Sequence, residues 1–267
     1  MVATDIDGTL LDSSGRVSPR TRAALRAAEA SGLVVAFVTG RPPRWLDDLI
    51  EQTGHLGVAV SANGAVLYDL SDETLITTHT LEPALMLAVA EALRSEFRDV
   101  AFAVEFGLDF AAEPGYVHDW AVNPLFDRRG AAIPPPRIGP LDEITDAPAV
   151  KLLAKDRDVD PDTFLAAATA LIGDRATITH SSSFGLLELS APGITKATGL
   201  ADLARRHGVG QHEVVAIGDM PNDIPMLQWA GRSIAVANAH PSVKDAAGEV
   251  TISNDEDAVA VLIESLL

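Results

Sequence analysis

Residues 33–40, Leu33-Val34-Val35-Ala36-Phe37-Val38-Thr39-Gly40, decide the fold. Six apolar residues rich in β-branched side chains, bounded by Gly32 and Gly40, are too short for a helix and read as a strand buried on both faces in a parallel sheet. Just upstream, Ser18 followed by Pro19 has the chemistry of a helix start, and the alanine-rich stretch that follows runs to Gly32. Ahead of that, Val2 to Thr4 makes a short strand, so the first 40 residues predict a βαβ unit. The far end of the chain repeats the rhythm. It predicts a helix from Thr195 to His207, a strand from Val214 to Ile217, and a helix near Asp223 to Trp229. A strand from Ser233 to Val236 and a last helix from about Asp255 follow. Strands separated by helices imply an α/β, doubly wound parallel sheet of Rossmann-like form.

The middle of the chain reads differently. A helix (Ala84 to Phe97), two hairpin-like strands (Val100 to Glu105 and Leu108 to Ala112) and a loop from Ile133 to Pro140 holding Pro134, Pro135 and Pro136 come first. A strand around Val150 to Ala154, a helix opened by Asp160 and Pro161, and strands near Ala176 to His180 and Gly185 to Leu189 complete it. Strands here need not be parallel, which predicts an inserted α+β domain. The expected division is a core of residues 1–82 and 188–267 and an insert of residues 83–187. The proline cluster reads as a rigid loop.

Composition removes whole classes of function. Among 267 residues, 38 are acidic and 20 basic, a formal charge of −18. With no basic block, a nucleic-acid or acidic-membrane partner is excluded, because phosphate backbones are bound by clustered Lys and Arg. Cysteine is absent, so there is no disulfide, thiolate metal site or cysteine nucleophile. The longest apolar runs are strand-sized, and no basic-plus-apolar leader is visible, so a soluble cytoplasmic protein is the expectation. Only four lysines occur, Lys151, Lys155, Lys196 and Lys244.

Three motifs follow predicted strands of the core, at the sheet edge where open α/β folds bind ligands. Asp5-Ile6-Asp7-Gly8-Thr9-Leu10 offers two carboxylates two residues apart, able to share a divalent cation while one attacks and the other transfers protons. Thr39-Gly40-Arg41 supplies a hydroxyl and a freed backbone amide suited to phosphate oxygens. Gly218-Asp219-Met220-Pro221-Asn222-Asp223 brings a second carboxylate pair. Oxygen-only ligands point to Mg²⁺ rather than zinc. Lys196 begins a helix after Pro192-Gly193, where an ammonium can reach a phosphoryl oxygen. Taken singly, these residues have ordinary readings: an Asx turn for Asp5 and Asp7, a helix cap for Thr39, a surface lysine, capping carboxylates at Asp219 and Asp223.

Together and in this order, Asp5/Asp7, Thr39, Lys196 and Asp219/Asp223 resemble the four motifs of the haloacid dehalogenase-like phosphatase superfamily, in its Cof-type sugar phosphatase branch. The resemblance implies Asp5 as the nucleophile that forms an aspartyl-phosphate and Asp7 as general acid and base. It implies Thr39 and Lys196 as holders of the phosphoryl group, with Gly40 and Arg41 beside it and Asn222 positioning it. Mg²⁺ would be held by the Asp5 carboxylate, the Asp7 backbone carbonyl and Asp219, with Asp223 as a ligand or one step removed. The insert resembles a type IIB cap. Ser61-Ala62-Asn63-Gly64-Ala65 resembles the family's Asn-Gly turn and Asn238-Ala239 its late Asn-Ala pair, although Ala237 stands where members often carry glycine. His118, Trp120, Asn123 and His180 are candidate cap residues, more in keeping with packing. Ser181-Ser182-Ser183 reads as a turn.

The expectation is therefore a Mg²⁺-dependent phosphatase for small phosphate esters, sugar phosphates first, without nucleic-acid or membrane partners. A phosphomutase of the same superfamily would share every motif, whereas a non-catalytic ligand-binding relative is expected to have lost one of Asp5, Asp7, Lys196 or Asp219, and all four are present. A dehalogenase is disfavoured, since that chemistry has no need of Asp7.

Overall fold

The computed structural model describes the chain except residues 56, 117–134 and 183. It divides into two compact units, residues 1–41, 48–77 and 195–267, and residues 42–47 and 78–194.

The first unit is built on a five-stranded parallel sheet with the order Glu249–Val250, Arg232–Ala235, Val215–Gly218, Val2–Thr4, Val35–Phe37. Val2–Thr4 is flanked on both sides, with Thr4 level with Phe37 on one neighbour and with Ile217 on the other. From this strand the chain first winds one way and later fills the other side. The crevice beyond its C-terminal end is thus the topological switch point. Its residues and those of its neighbours, apart from the half-buried Val215, are almost fully buried, as a sheet covered on both faces requires.

The strand predicted from Leu33 begins at Val35. The Pro19–Ala30 helix, capped by the Ser18 hydroxyl accepting from the Thr21 amide at 3.0 Å, ends in a turn at Gly32 with φ +80°. There the Leu33 amide returns to the Ala28 carbonyl at 3.0 Å, so Leu33 closes the helix instead of opening the strand. Similarly, the last helix is Ala258–Glu264, not one from Asp255. A separate turn, Asn254–Glu256, precedes it, and Asp257 between them is left-handed at φ 64°. The sequence reading placed no regular element in residues 43–82. The structure puts there a helix at Asp47–Thr53 and a three-stranded sheet of Val58–Ser61, Val66–Asp69 and Thr74–Thr78. A single parallel bridge from Val38 to Val60 joins this sheet to the end of the Val35–Phe37 strand.

The second unit is a six-stranded sheet with the order Thr177–Thr179, Leu186–Ser190, Lys151–Lys155, Ala101–Glu105, Phe110–Ala112, Arg137–Ile138. Its pairs are antiparallel except the last, which puts a short strand in the segment read as a proline-rich loop. Side chains alternate across it. Phe102, Val104, Leu152, Leu187 and Leu189 face the helices Pro83–Glu96 and Pro161–Ile172 in one core. Phe97 and Phe164 meet edge-on there, at 4.7 Å between centroids. The opposite face carries Ala103 and Leu153, together with Lys151 bonded to Glu188 at 2.5 Å. This unit extends beyond the expected residues 83–187. Leu81 bridges to Ala149, the Leu186–Ser190 strand stays in this sheet, and Arg44 ties residues 42–47 to it by donating to Glu105 at 3.1 Å. His180 is buried and bonded through Nε2 to Asp162 at 2.9 Å. His118, Trp120 and Asn123 lie outside the described residues. No helix among the described residues is long and apolar enough to cross a membrane.

Candidate active site

All nine residues singled out from sequence lie in the first unit, on loops leaving its parallel strands or beside them. Asp5 follows Val2–Thr4, and its amide continues the ladder by donating to the Ile217 carbonyl at 3.0 Å. The chain then turns at Gly8, whose φ of +77° suits glycine. A Cβ at Gly8 would stand 2.3 Å from Asp219 Oδ2, so the bare backbone is what lets the two acidic loops approach. Thr9 secures the contact, its hydroxyl donating to Asp219 Oδ1 at 2.8 Å.

Lys196 is the first residue of the Lys196–Arg206 helix, whose start is fixed by a reciprocal capping box between Thr195 and Thr198. Its side chain is 1% exposed, and the ammonium donates to Asp5 Oδ1 at 2.5 Å and to Asp223 Oδ1 at 2.6 Å. Asp223 is fully buried. Its other oxygen accepts from the amides of Asp219 at 2.9 Å and Met220 at 3.0 Å. Asp223 thus links the ammonium to the loop that carries Asp219.

Thr39 is buried, with its amide on the Val60 carbonyl at 2.8 Å and its hydroxyl accepting from the Arg41 amide at 3.0 Å. Gly40 lies half-buried between them. Arg41 grips the exposed Asp7 carboxylate with two bonds, Nε to Oδ2 at 2.8 Å and Nη2 to Oδ1 at 2.5 Å. This is the fork geometry by which guanidinium orients a carboxylate. Asn222 is buried and donates to Asn63 Oδ1 at 3.0 Å.

One carboxylate oxygen from each of Asp5, Asp219 and Asp223 lies within 4.8 Å of the others, and all three residues are buried. The Asp7 carboxylate stands outside this group, turned to Arg41. Burial pushes the Asp5 carboxyl well above the usual carboxylate range; Lys196 opposes the rise, and Asp223, Asp219 and Asp7 add to it. Burial, reinforced by Asp223, pushes Asp219 up to about 7, with the Thr9 hydroxyl and Lys196 opposing. Burial lowers the Lys196 ammonium, but Asp223 and Asp5 outweigh it and leave the group raised and charged. Three buried carboxylates against one ammonium is an arrangement short of positive charge. An all-oxygen donor set of this kind suits a hard divalent cation.

Three supporting residues were quoted in the sequence but given no role. Thr9 holds Asp219, Asn63 holds Asn222, and Asn238 donates to the Gly8 carbonyl at 2.8 Å. Their only sequence signal was adjacency to a motif glycine or a place in a family-like turn.

A doubly wound sheet whose switch point carries a lysine-bridged carboxylate cluster, a hydroxyl loop and an acid gripped by arginine defines a hydrolase site built for charge-stabilised group transfer. The chain belongs to the haloacid dehalogenase-like hydrolase family, which it matches over residues 2–263. It is 29% identical to the Bacillus subtilis protein YxeH over all of this chain and 98% of that one. It is 28% identical to the Bacillus subtilis 5-amino-6-(5-phospho-D-ribitylamino)uracil phosphatase YitU, over 97% and 94% of the two chains. In fold it is similar to the HAD subclass IIB sugar phosphatase BT4131, with a TM-score of 0.81, 22% identity, and 99% and 98% of the two chains covered.

Proposed function

We propose that this hydrolase is a Mg²⁺-dependent phosphatase of small phosphorylated metabolites, sugar and polyol phosphates first, working through an aspartyl-phosphate on Asp5. The observation that carries the reading is the buried Lys196 ammonium held between Asp5 and Asp223 beside Asp219. In support of the reading, a buried ammonium and a carboxylate set suited to a divalent cation stand against Asp5, whose carboxylate would attack phosphorus. The name of YitU, a phosphatase of a ribityl phosphate, and of BT4131, a sugar phosphatase, support the substrate class. The second unit would be a type IIB cap that supplies specificity.

Phosphoryl transfer leaves the protein mainly positioning and charge neutralisation. In this reading the Asp5 carboxylate attacks phosphorus, the phosphorus–oxygen bond to the leaving group breaks, and Asp7 gives that alkoxide a proton. Asp7 then takes a proton from water as the water oxygen attacks the phosphorus of the acyl phosphate, which returns Asp5 and releases phosphate. Thr39 and Lys196 hold the phosphoryl oxygens, with Gly40 and Asn222 beside them. Arg41 keeps Asp7 oriented. Asp5, the Asp7 backbone carbonyl and Asp219 would hold Mg²⁺, with Asp223 bracing Asp219; the bound ion supplies charge neutralisation at the phosphoryl group.

The test is a phosphate-release screen over sugar, polyol, nucleotide and cofactor phosphates, with Mg²⁺ and with a chelator. Release from hexose or pentitol phosphates that stops on chelation is the expected result. No release across the panel with Mg²⁺ would overturn the reading, and interconversion of phosphate positions without net release would favour a mutase.

The raised carboxyl of Asp219 also predicts how metal affects stability. A carboxyl whose folded value lies near 7 against an ordinary 3.8 binds more protons folded than unfolded. Its contribution is therefore present below about 3.8 and is lost as pH rises through about 7. Bound Mg²⁺ would offset the burial penalty on the charged carboxylate, which is the main cause of this loss, and the repulsion from Asp223 that adds to it. The rise in melting temperature on adding Mg²⁺ to chelator-treated protein should be larger at pH 8 than at pH 5. Equal rises at the two pH values would contradict the assignment.

A further inference from the structure

Asn63 is not one of the four motif positions, yet the turn that carries it touches the supports of three. The turn that carries it is left-handed over three consecutive residues, Ala62 at φ 50°, Asn63 at φ 56° and Gly64 at φ 93°. Asparagine and glycine enter that region readily, and alanine does so at a cost. Strain of this kind persists where the surroundings over-determine it, and here the surroundings can be named. The Asn63 amide donates to the Thr39 carbonyl at 3.0 Å. The Arg41 carbonyl accepts from both the Ala62 amide at 3.0 Å and the Ser61 hydroxyl at 2.5 Å. Gly64 passes so close to the helix of Lys196 that a Cβ there would stand 2.0 Å from the Thr195 carbonyl oxygen. Gly199, one turn on, is equally tight, its own Cβ position lying 2.7 Å from the Gly64 Cα.

The side chain reaches the third support. Asn63 Oδ1 accepts from Asn222 Nδ2 at 3.0 Å, across 159 residues of sequence. Because Oδ1 can only accept, it selects which end of the Asn222 amide faces it. The other end, Asn222 Oδ1, is thereby turned away, and it is buried with no hydrogen-bond partner among the described residues. That oxygen is an acceptor and cannot bond a phosphoryl oxygen; what the contact with Asn63 leaves for one is the second hydrogen of Asn222 Nδ2, on an amide whose orientation Asn63 has fixed.

We propose that Asn63 is a positioning residue for phosphoryl transfer. It sets the amide orientation of Asn222 and, through its left-handed turn, locks the Thr39 loop to the start of the Lys196 helix. The proposal rests on the phosphatase reading above. Its test is a cycle of Asn63→Gly, Asn222→Ala and the double variant, with Asn63→Asp as the conservative replacement. Glycine keeps the left-handed turn and deletes the side-chain amide that holds Asn222, so Asn63→Gly should hold its melting temperature within a few degrees. It should lower kcat by about tenfold or more with KM nearly unchanged, the signature of an interaction made in the transition state.

Asn222→Ala should cost about as much, and the double variant little more than either single one. Asn63→Asp, which keeps an acceptor and tolerates the turn, should recover most of the loss. An Asn63→Gly rate within twofold of wild type, or losses that multiply in the double variant, would overturn the proposal. If the wild type itself released no phosphate, the phosphatase reading would fall. The same cycle would then be read on inorganic phosphate binding with Mg²⁺ by calorimetry, where coupled losses support the role of Asn63 and independent losses refute it.

Discussion

Asp5→Asn should abolish phosphate release, by at least about 10³-fold in kcat, while leaving the protein folded. Asp5 and Asp223 both combine burial, contact with the Lys196 ammonium and a place in the acidic cluster, but the other oxygen of Asp223 is taken by the Asp219 and Met220 amides, whereas Asp5 stands at the end of the central strand. An amide of the same shape fills its space but is no nucleophile. The stability outcome separates chemistry from unfolding. Burial and the neighbouring Asp223 and Asp219 raise the Asp5 carboxyl, so the charged form is disfavoured in the metal-free protein. Replacing it by a neutral amide removes one of three crowded carboxylates, and Lys196 keeps its bond to Asp223. The metal-free variant should therefore melt no lower than metal-free wild type, and the gain on adding Mg²⁺ should shrink because one ligand is gone. Phosphate release from p-nitrophenyl phosphate and thermal unfolding with and without chelator measure both. A variant that turns over at the wild-type rate would end the aspartyl-phosphate mechanism.

The parts legible in the sequence were those whose signal is local. Ser18-Pro19 capped a helix because a hydroxyl and a fixed φ act within one turn, and the Asp160-Pro161 pair did the same, its carboxylate accepting from the Thr163 amide at 2.9 Å. The acidic strings, Thr39 and Lys196 were legible because spacing along the chain carries them to one sheet edge. The Val58–Ser61 and Thr74–Thr78 strands were not. The second is exposed over most of its length and shows no buried alternation to read. The reach of the second unit was also hidden, since its outlying segments join through single bridges and the Arg44 ion pair, contacts made across 61 or 68 residues of sequence. Side-chain partnerships inside the site were least visible of all. That Arg41 grips Asp7, or that Asn63 holds Asn222, depends on tertiary geometry with no periodic trace. The sparse lysine count singled out Lys196, yet Lys151 is equally buried, bonded to Glu188. Scarcity alone did not distinguish the ammonium of the candidate site from one that balances a sheet carboxylate.

Lys196→Met carries the second large effect, and its two consequences come apart. Methionine keeps the unbranched stem of the side chain but leaves Asp5 and Asp223 without the ammonium that bonds both. Removing one partner of a buried ionic group costs about 3–5 kcal/mol, chiefly because the charge left behind is uncompensated. The variant should melt well below wild type, most severely at neutral pH and above, where Asp219, raised to about 7, is also ionised. Mg²⁺ should return part of that stability by standing in for the lost charge. Adding Asp223→Asn removes one of the stranded carboxylates, while an amide still offers an acceptor to the Asp219 and Met220 amides that Asp223 now serves. The double variant should therefore recover much of the melting temperature. It should not recover activity, because the charge that Lys196 brings to the phosphoryl group is still missing, and kcat stays down by about 10²-fold or more. Recovery of both stability and turnover in the double variant would show that Lys196 serves only to neutralise Asp223, and would remove it from the chemistry.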